Sequence, residues 1–516
     1  LLSLLFLVSL VDSKSPLKIL VYNSKFGHSH STFLGNIADI LVEEGYNVTS
    51  LIPEIYPPFA DGTSKSTVLR IPVEQSTLEG WLAAQEGDFS FIYRTDDWDK
   101  SKMLEQMPVL RDSFAAQCNY TIHYGDVIDR LKRENYDLMI AENFDHCGIG
   151  ISHLIKARSL ITVATTNLFD LQSYEIGQPL FPSHVPASFG GAVDPHSLYS
   201  RIDNIVAMLS SMWMWRQMEK KTEDVFKRVY GDEFPDLGEI TARSTFTLTN
   251  SDAFLDFAKP MLRKVVEIGG IGVRDTKPLT EEWDKVLALR PRTVVVSFGT
   301  VARAFLMPME MRKALAQAFS QFPETTFLWK YEKPEEKDLF AKGVDNLILS
   351  DWLPQNDLLG DDRVQGFLTH AGKGSFFEAA ARGKSTLIVP IFGDQYRNAA
   401  TAEHIGFGKV FFKGDLTNAK KIAEGIDIIL NDPEHQRLAH EVKEVIEARP
   451  FTPRELLVRN VEFAAKMGPQ KALSSEGRQL SYIVYYNIDL LIGFVVLFIV
   501  AICTAIYLLL SIARII

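Results

Sequence analysis

Cysteine is scarce, with only Cys118, Cys147 and Cys503 among 516 residues. Their spacing offers no zinc site, and Cys503 falls in an apolar run near the end of the chain, so at most one disulfide, Cys118 to Cys147, is available. The sequence leaves open whether it forms. Positive charge is also short. A formal net charge of -11 supplies no basic field to neutralise phosphates, which excludes a nucleic-acid binder. There is no low-complexity tract, long like-charge block or internal repeat, so a disordered tail and a solenoid are excluded as well. No G-x-G-x-x-G turn follows either opening strand, which argues against a nicotinamide or flavin oxidoreductase.

What is present begins with length. A chain of 516 residues exceeds one ordinary core, so two packed domains are expected. Residues 1–10, LLSLLFLVSL, read as the apolar core of a secretory signal peptide over 1–15, truncated at its start. Near the other end, Leu490 to Leu510 is uninterrupted by charge and long enough to cross hydrocarbon as a helix; the span is set at 488–511, with a short cytoplasmic tail at 512–516. Leader first and anchor last give a single-pass type I topology, with nearly the whole chain lumenal. Asn47-Val48-Thr49 and Asn119-Tyr120-Thr121 are then candidate glycosylation sites.

Between the ends, strand-like and helix-like segments alternate, the pattern of parallel sheets covered by helices. Strands are expected at 17–23, 46–52, 136–142, 160–166 and 246–251, with a helix at 31–44 and a long Met- and Trp-rich, core-facing helix at 201–230. A stretch rich in glycine, proline and charge follows, with the linker at 276–292. A second series then has strands at 293–299, 325–331, 346–353, 364–370 and 385–392, helices near 308–321, 374–383 and 395–405, and closing helices at 418–430, 433–448 and 452–466.

Ligands of open parallel sheets sit beyond the carboxyl ends of the strands. His370, Asp394 and Gln395 fall there. The turn Ala371-Gly372-Lys373-Gly374-Ser375 opens a helix whose free amides and dipole suit a diphosphate. Glu378, one turn along, suits ribose hydroxyls, and Asp394-Gln395 suit a sugar. Upstream, Trp352 offers a ring for a base and Gln355 an amide for a base or ribose edge. Base, ribose, diphosphate and sugar make up a nucleotide sugar.

The stretches WLPQNDLLG (352–360), FLTHAGKGSFFEA (367–379), IFGDQ (391–395) and SFGT (297–300) resemble the signature of the UDP-glycosyltransferases, specifically the membrane-anchored animal UDP-glucuronosyltransferase type, and the resemblance covers nearly the whole chain. It implies an α/β GT-B fold: a Rossmann-like acceptor domain over 16–275, a Rossmann-like UDP-sugar domain over 293–466, a juxtamembrane segment at 467–487 and the C-terminal membrane helix. It implies that Trp352 and Gln355 contact uracil and ribose, that His370, Gly372 and Ser375 hold the diphosphate with Ser297 and Thr300 beside it, that Glu378 binds ribose, and that Asp394 and Gln395 bind the transferred sugar. Ser385 and Thr386 depart from the usual signature at the start of a buried strand, and Gly374 stands where relatives often carry a side-chain amide.

The reaction also needs a base. In NSKFGHSHSTF (23–33) the family pattern falls on His30, leaving His28 without a match. Glu142, at the end of the strand-like run 136–142, stands where the family has an aspartate that supports the histidine; Asp145 competes for that role. The implied reaction is inverting transfer of glucuronic acid or glucose from a UDP-sugar to a small lipophilic acceptor, as in detoxifying conjugation. No cofactor or metal is expected, because the UDP-sugar is a co-substrate. The endoplasmic reticulum membrane is the implied location and self-association an expectation of the family. A non-catalytic lumenal UDP-sugar-binding subunit is the alternative. Asp97-Trp98-Asp99 matches the manganese motif of glycosyltransferases of another fold, but lies outside the diphosphate half and reads as a charged surface turn.

Overall fold

The computed structural model describes residues 16–86, 90–94 and 101–514. The leader over 1–15 and the Asp97-Trp98-Asp99 motif lie outside the described residues.

The apolar runs form two all-parallel sheets. The first contains β1 (Lys18–Tyr22), β2 (Asn47–Pro53), β3 (Thr67–Ile71), β4 (Leu138–Glu142), β5 (Leu160–Ala164), β6 (Phe246–Thr249) and β7 (Val265–Glu267) in the order 3-2-1-4-5-6-7. The second contains β8 (Arg292–Ser297), β9 (Thr325–Lys330), β10 (Leu347–Ser350), β11 (Val364–Thr369), β12 (Ser385–Ile388) and β13 (Gly408–Val410) in the order 10-9-8-11-12-13. Central strands such as LMIAE of β4 are buried throughout, as expected when helices cover both faces. Strand order reverses between β1 and β4 in one sheet and between β8 and β11 in the other, opening a crevice at each reversal. Residues after β1, β4, β8 and β11 therefore surround the clefts.

Two helices depart from the domain limits drawn from sequence. The Pro453–Met467 helix starts in a capping box, with Thr452 accepting from the Glu455 amide at 3.1 Å and Glu455 from the Thr452 amide at 2.8 Å. Its buried stripe of Leu457, Val461, Ala464 and Ala465 packs with Ile19, Val21, Ile140 and Phe246 on the first sheet, not the second. An apolar stripe states that a helix covers a sheet; it does not say which one. Likewise the stretch read as linker contains the helix Glu281–Leu287, whose Trp283, Val286 and Leu287 pack into the second domain with Leu358 and Phe367.

The domains are tied together by ion pairs. Arg397 Nη2 reaches both Asp256 oxygens at 2.7 and 3.0 Å, and Arg449 meets Asp252 at 2.5 Å. Tyr93 donates across the interface to the Ala302 carbonyl at 2.8 Å. Cys118 and Cys147 are bonded, joining the helices Ser101–His123 and Cys147–Leu154. The helix Ile488–Ala513 is exposed and apolar along its length; 26 residues rise about 39 Å, enough to cross a bilayer. Before it, Arg478 donates to the Glu175 carbonyl at 3.0 Å and pairs with Glu239, so the membrane-proximal segment is fastened to the first domain.

Candidate active site

On the first sheet the site is built by two strand ends. The loop after β1 delivers His30 into the first turn of the helix His28–Glu43, and β4 ends at Glu142. His30 Nδ1 lies 2.5 Å from Glu142 Oε1, and Thr165, just past β5, donates its hydroxyl to the same oxygen at 2.6 Å. The carboxylate can only accept, so Nδ1 carries the proton and Nε2 is left as the basic nitrogen. Phe26 and Phe144 flank the imidazole with ring centroids at 4.4 and 4.8 Å. Behind them Phe114, Phe169, Met214 and Trp215 complete an aromatic cluster, with Trp215 4.5 Å from Phe144.

Asp145 faces elsewhere. It accepts from the Tyr22 hydroxyl and from the Cys147 amide, both at 3.0 Å, and burial pushes its carboxyl up to about 7. His28 lies at the cleft 6.5 Å from Phe59, and burial, followed by the charge of Lys330 from the second domain, lowers its pKa.

On the second sheet His370 directly follows β11, with its ring wedged between two glycines. A Cβ on Gly299 or Gly372 would come within 2.5 or 2.6 Å of its Nε2, so only glycine fits either place. Burial pulls His370 down to about 4, with the Ser297 backbone bond opposing and Lys330 adding to the fall; the ring is neutral near pH 7. Ser297 ends β8, and Thr300 follows on the same half-buried loop. Ala371 takes a positive φ of 60°, turning the chain so that Gly372 caps the helix Lys373–Ala381.

Ser375 and Glu378 lie on that helix, and both meet one side chain: Gln355 Nε2 donates to Ser375 Oγ at 3.1 Å and to Glu378 Oε2 at 2.5 Å. Burial raises the Glu378 pKa, with the Gln355 bond opposing. Trp352 is 60% exposed and lines a void of about 170 Å³ with Leu279, Trp283 and Pro354, so one ring face is open.

Asp394 caps the helix Gln395–Ile405 and accepts from Asn398 at 2.8 Å. Burial raises its pKa, opposed by Lys373, the Asn398 amide and the His30 charge. His30 of one domain and Asp394 of the other therefore act on one cleft. Gln395 is more constrained than its sequence position suggests: its Oε1 accepts from the Ile391 and Phe392 amides at 2.8 and 3.1 Å, leaving only the amide nitrogen for a ligand. The sequence reading missed Thr165, the aromatic wall and Lys330, whose ammonium reaches the Gly299 carbonyl at 2.9 Å. Lys330 ends β9 and was detectable by the same strand-end rule. The aromatic residues come from separated segments and carried no local signal. Of the glycosylation candidates, Asn47 is exposed at the start of β2, whereas Asn119 is half-buried inside a helix with Thr121 fully buried.

Two parallel-sheet domains meeting at a cleft form the GT-B architecture. The crystal structure of LpCGTa in complex with UDP shares this fold with a TM-score of 0.55 at 18% identity, over 87% of this chain and 99% of that one. Residues 17–514 match the family described as UDP-glucoronosyl and UDP-glucosyl transferase, and the chain belongs to it. It is 28% identical to the UDP-glucuronosyltransferase relative ugt-47 of Caenorhabditis briggsae, over 96% of this chain and 93% of that relative. It is 26% identical to human UDP-glucuronosyltransferase 3A2, over 86% and 84%. The protein is thus a UDP-sugar-dependent glycosyltransferase, and its C-terminal helix is consistent with a membrane anchor.

Proposed function

We propose that this enzyme transfers glucuronic acid or glucose from UDP to a hydroxyl or carboxyl group of a small lipophilic acceptor, with inversion at the anomeric carbon. The observation that carries the reading is His30, paired to Glu142 and walled by Phe26 and Phe144, within the electrostatic reach of Asp394. An acceptor hydroxyl gives its proton to His30 Nε2, and Glu142 stabilises the resulting imidazolium. The acceptor oxygen bonds to the anomeric carbon from the face opposite UDP. The bond from that carbon to the β-phosphate oxygen breaks, and UDP leaves with the electron pair. The amides that open the Lys373–Ala381 helix stabilise the leaving diphosphate, with His370 and Ser375 as polar groups beside it. A carboxylate acceptor would need no base. No step is routed through a metal ion.

In this reading Trp352 stacks uracil, Gln355 and Glu378 exchange their mutual bond for ribose, and Asp394 with the Gln395 amide nitrogen holds the sugar. The aromatic wall suits apolar, ring-bearing acceptors, as in conjugation of lipophilic compounds. Both domains are lumenal in the endoplasmic reticulum membrane, anchored by the helix Ile488–Ala513. The test is transfer from labelled UDP-glucose and UDP-glucuronic acid to phenols and alcohols in membranes carrying the full chain or His30→Ala. Product that the variant fails to make supports the reading. UDP-sugar binding with no product from a broad acceptor panel would favour a non-catalytic binding subunit.

A further inference from the structure

Lys373 stands apart from the other buried cations where the two domains meet. Arg397 is committed to Asp256 and to the Pro186 carbonyl, and Lys259 pairs with Asp256 at 2.9 Å. Lys330 serves the Gly299 carbonyl and Glu332. Lys373 is 94% buried, being 6% exposed, yet among the described residues its ammonium has no hydrogen bond or ion pair, and it rests over the Phe376 and Phe377 rings at 4.9 and 5.4 Å. The two carboxylates that act on it at longer range already have partners: Asp256 has Arg397 and Lys259, and Asp394 has Asn398.

A buried ammonium with no anion in contact is costly, and the cost is relieved when a ligand brings one into contact. We propose that Lys373 is the specificity residue for the donor sugar and pairs with a carboxylate on it, so that this enzyme selects a UDP-hexuronate over a neutral UDP-hexose. This rests on the reading above that Asp394 holds the transferred sugar. Lys373 is the first residue of the helix that opens on the diphosphate side, and its charge acts on Asp394. A sugar held by Asp394 through its hydroxyls would bring a carboxylate on C5 within the reach of a lysine stem, whereas a neutral CH₂OH would leave the ammonium unpaired. Burial lowers Lys373 to about 8 against the pull of Asp256 and Asp394, with Arg397 and Lys259 adding to the fall. It is therefore mostly cationic at neutral pH, and an arriving carboxylate would secure the charge.

The test is equilibrium binding of UDP, UDP-glucose and UDP-glucuronic acid to the full-length protein, wild type, Lys373→Met and Lys373→Arg, which needs no acceptor. The expected result is that wild type binds UDP-glucuronic acid at least tenfold more tightly than UDP-glucose. Lys373→Met abolishes that preference while UDP itself binds as before, and Lys373→Arg keeps part of it. Equal weakening of all three ligands would show a diphosphate or structural role and overturn the proposal, as would a wild-type preference for UDP-glucose. Turnover lost in His30→Ala, with binding retained, reads the catalytic proposal separately. Failure to bind UDP at all would overturn the donor-site reading and this inference together.

Discussion

Tyr22 donates its hydroxyl to Asp145 at 3.0 Å and so holds the carboxyl away from the imidazole that Glu142 reaches at 2.5 Å. The two acids, three residues apart, are thereby given different tasks. Glu142→Gln should keep the fold but present an amide to His30 Nδ1, disturbing the tautomer. A loss in kcat on the order of 10⁴-fold is expected, similar to the effect of amide replacement in other His-acid pairs. His30→Ala should cost roughly 10²- to 10⁴-fold with a hydroxyl acceptor. Steady-state kinetics with one phenolic acceptor checks both, and an unimpaired Glu142→Gln would return the support role to Asp145.

Asp145→Asn should leave kcat within about twofold and change stability in a pH-dependent way. Burial raises the native carboxyl from 3.8 to about 7, so between these values the folded protein binds more protons here than the unfolded chain. The stability associated with that proton is complete below pH 3.8 and is lost as pH rises through about 7. Asn cannot ionise. The variant should gain on wild type from about pH 4 to about pH 7 and then level off, by on the order of 4 kcal/mol. Denaturant midpoints across that range are the measurement, and a constant difference would contradict the account.

Asp256 is the shared partner of Arg397 and Lys259 at the domain interface. These cations, together with Lys373, hold its pKa well below the usual carboxylate range against the opposing effect of burial. Asp256→Ala would leave two buried cations without their anion, a loss of about 3–5 kcal/mol. Thermal unfolding of the full-length protein should show a lower midpoint, and Asp256→Glu should lose less than the alanine variant.

The disulfide ties the start of the Cys147–Leu154 helix, directly after the loop bearing Phe144 and Asp145, to the long Ser101–His123 helix. Its sequence separation of 29 predicts that Cys118→Ala costs about 3 kcal/mol. Hydrogen exchange should quicken first around 143–154, because that is the segment released. An unchanged unfolding midpoint would show that packing alone holds it.

The sequence alone carried the sheets and the strand-end positions of the candidate donor residues, because both depend on local patterns. A buried parallel strand is a run such as TVVVS, and the candidate ligand groups of such a sheet lie within a few residues of its end, as His370, Asp394, Ser297 and Glu142 do. The strand β3 and the three-residue β7 and β13 were too short or too polar to stand out. What depended on residues far apart in the chain could not be read. The Pro453–Met467 helix carries an apolar stripe that either sheet could have received, and only the uncovered face beside β4 to β7 decided the choice. The sequence favoured Glu142 over Asp145 beside His30, and only the packing that commits Asp145 to Tyr22 separates the two acids in space. The aromatic wall draws on segments from Phe26 to Trp215, and Lys373 is distinctive only because Arg397 and Lys259 have taken the nearby carboxylate. Short-range periodicity and turn chemistry determine the elements and place reactive groups at their ends. Which groups are buried together, and which charge is left unpaired, is decided by long-range packing that no single stretch of chain encodes.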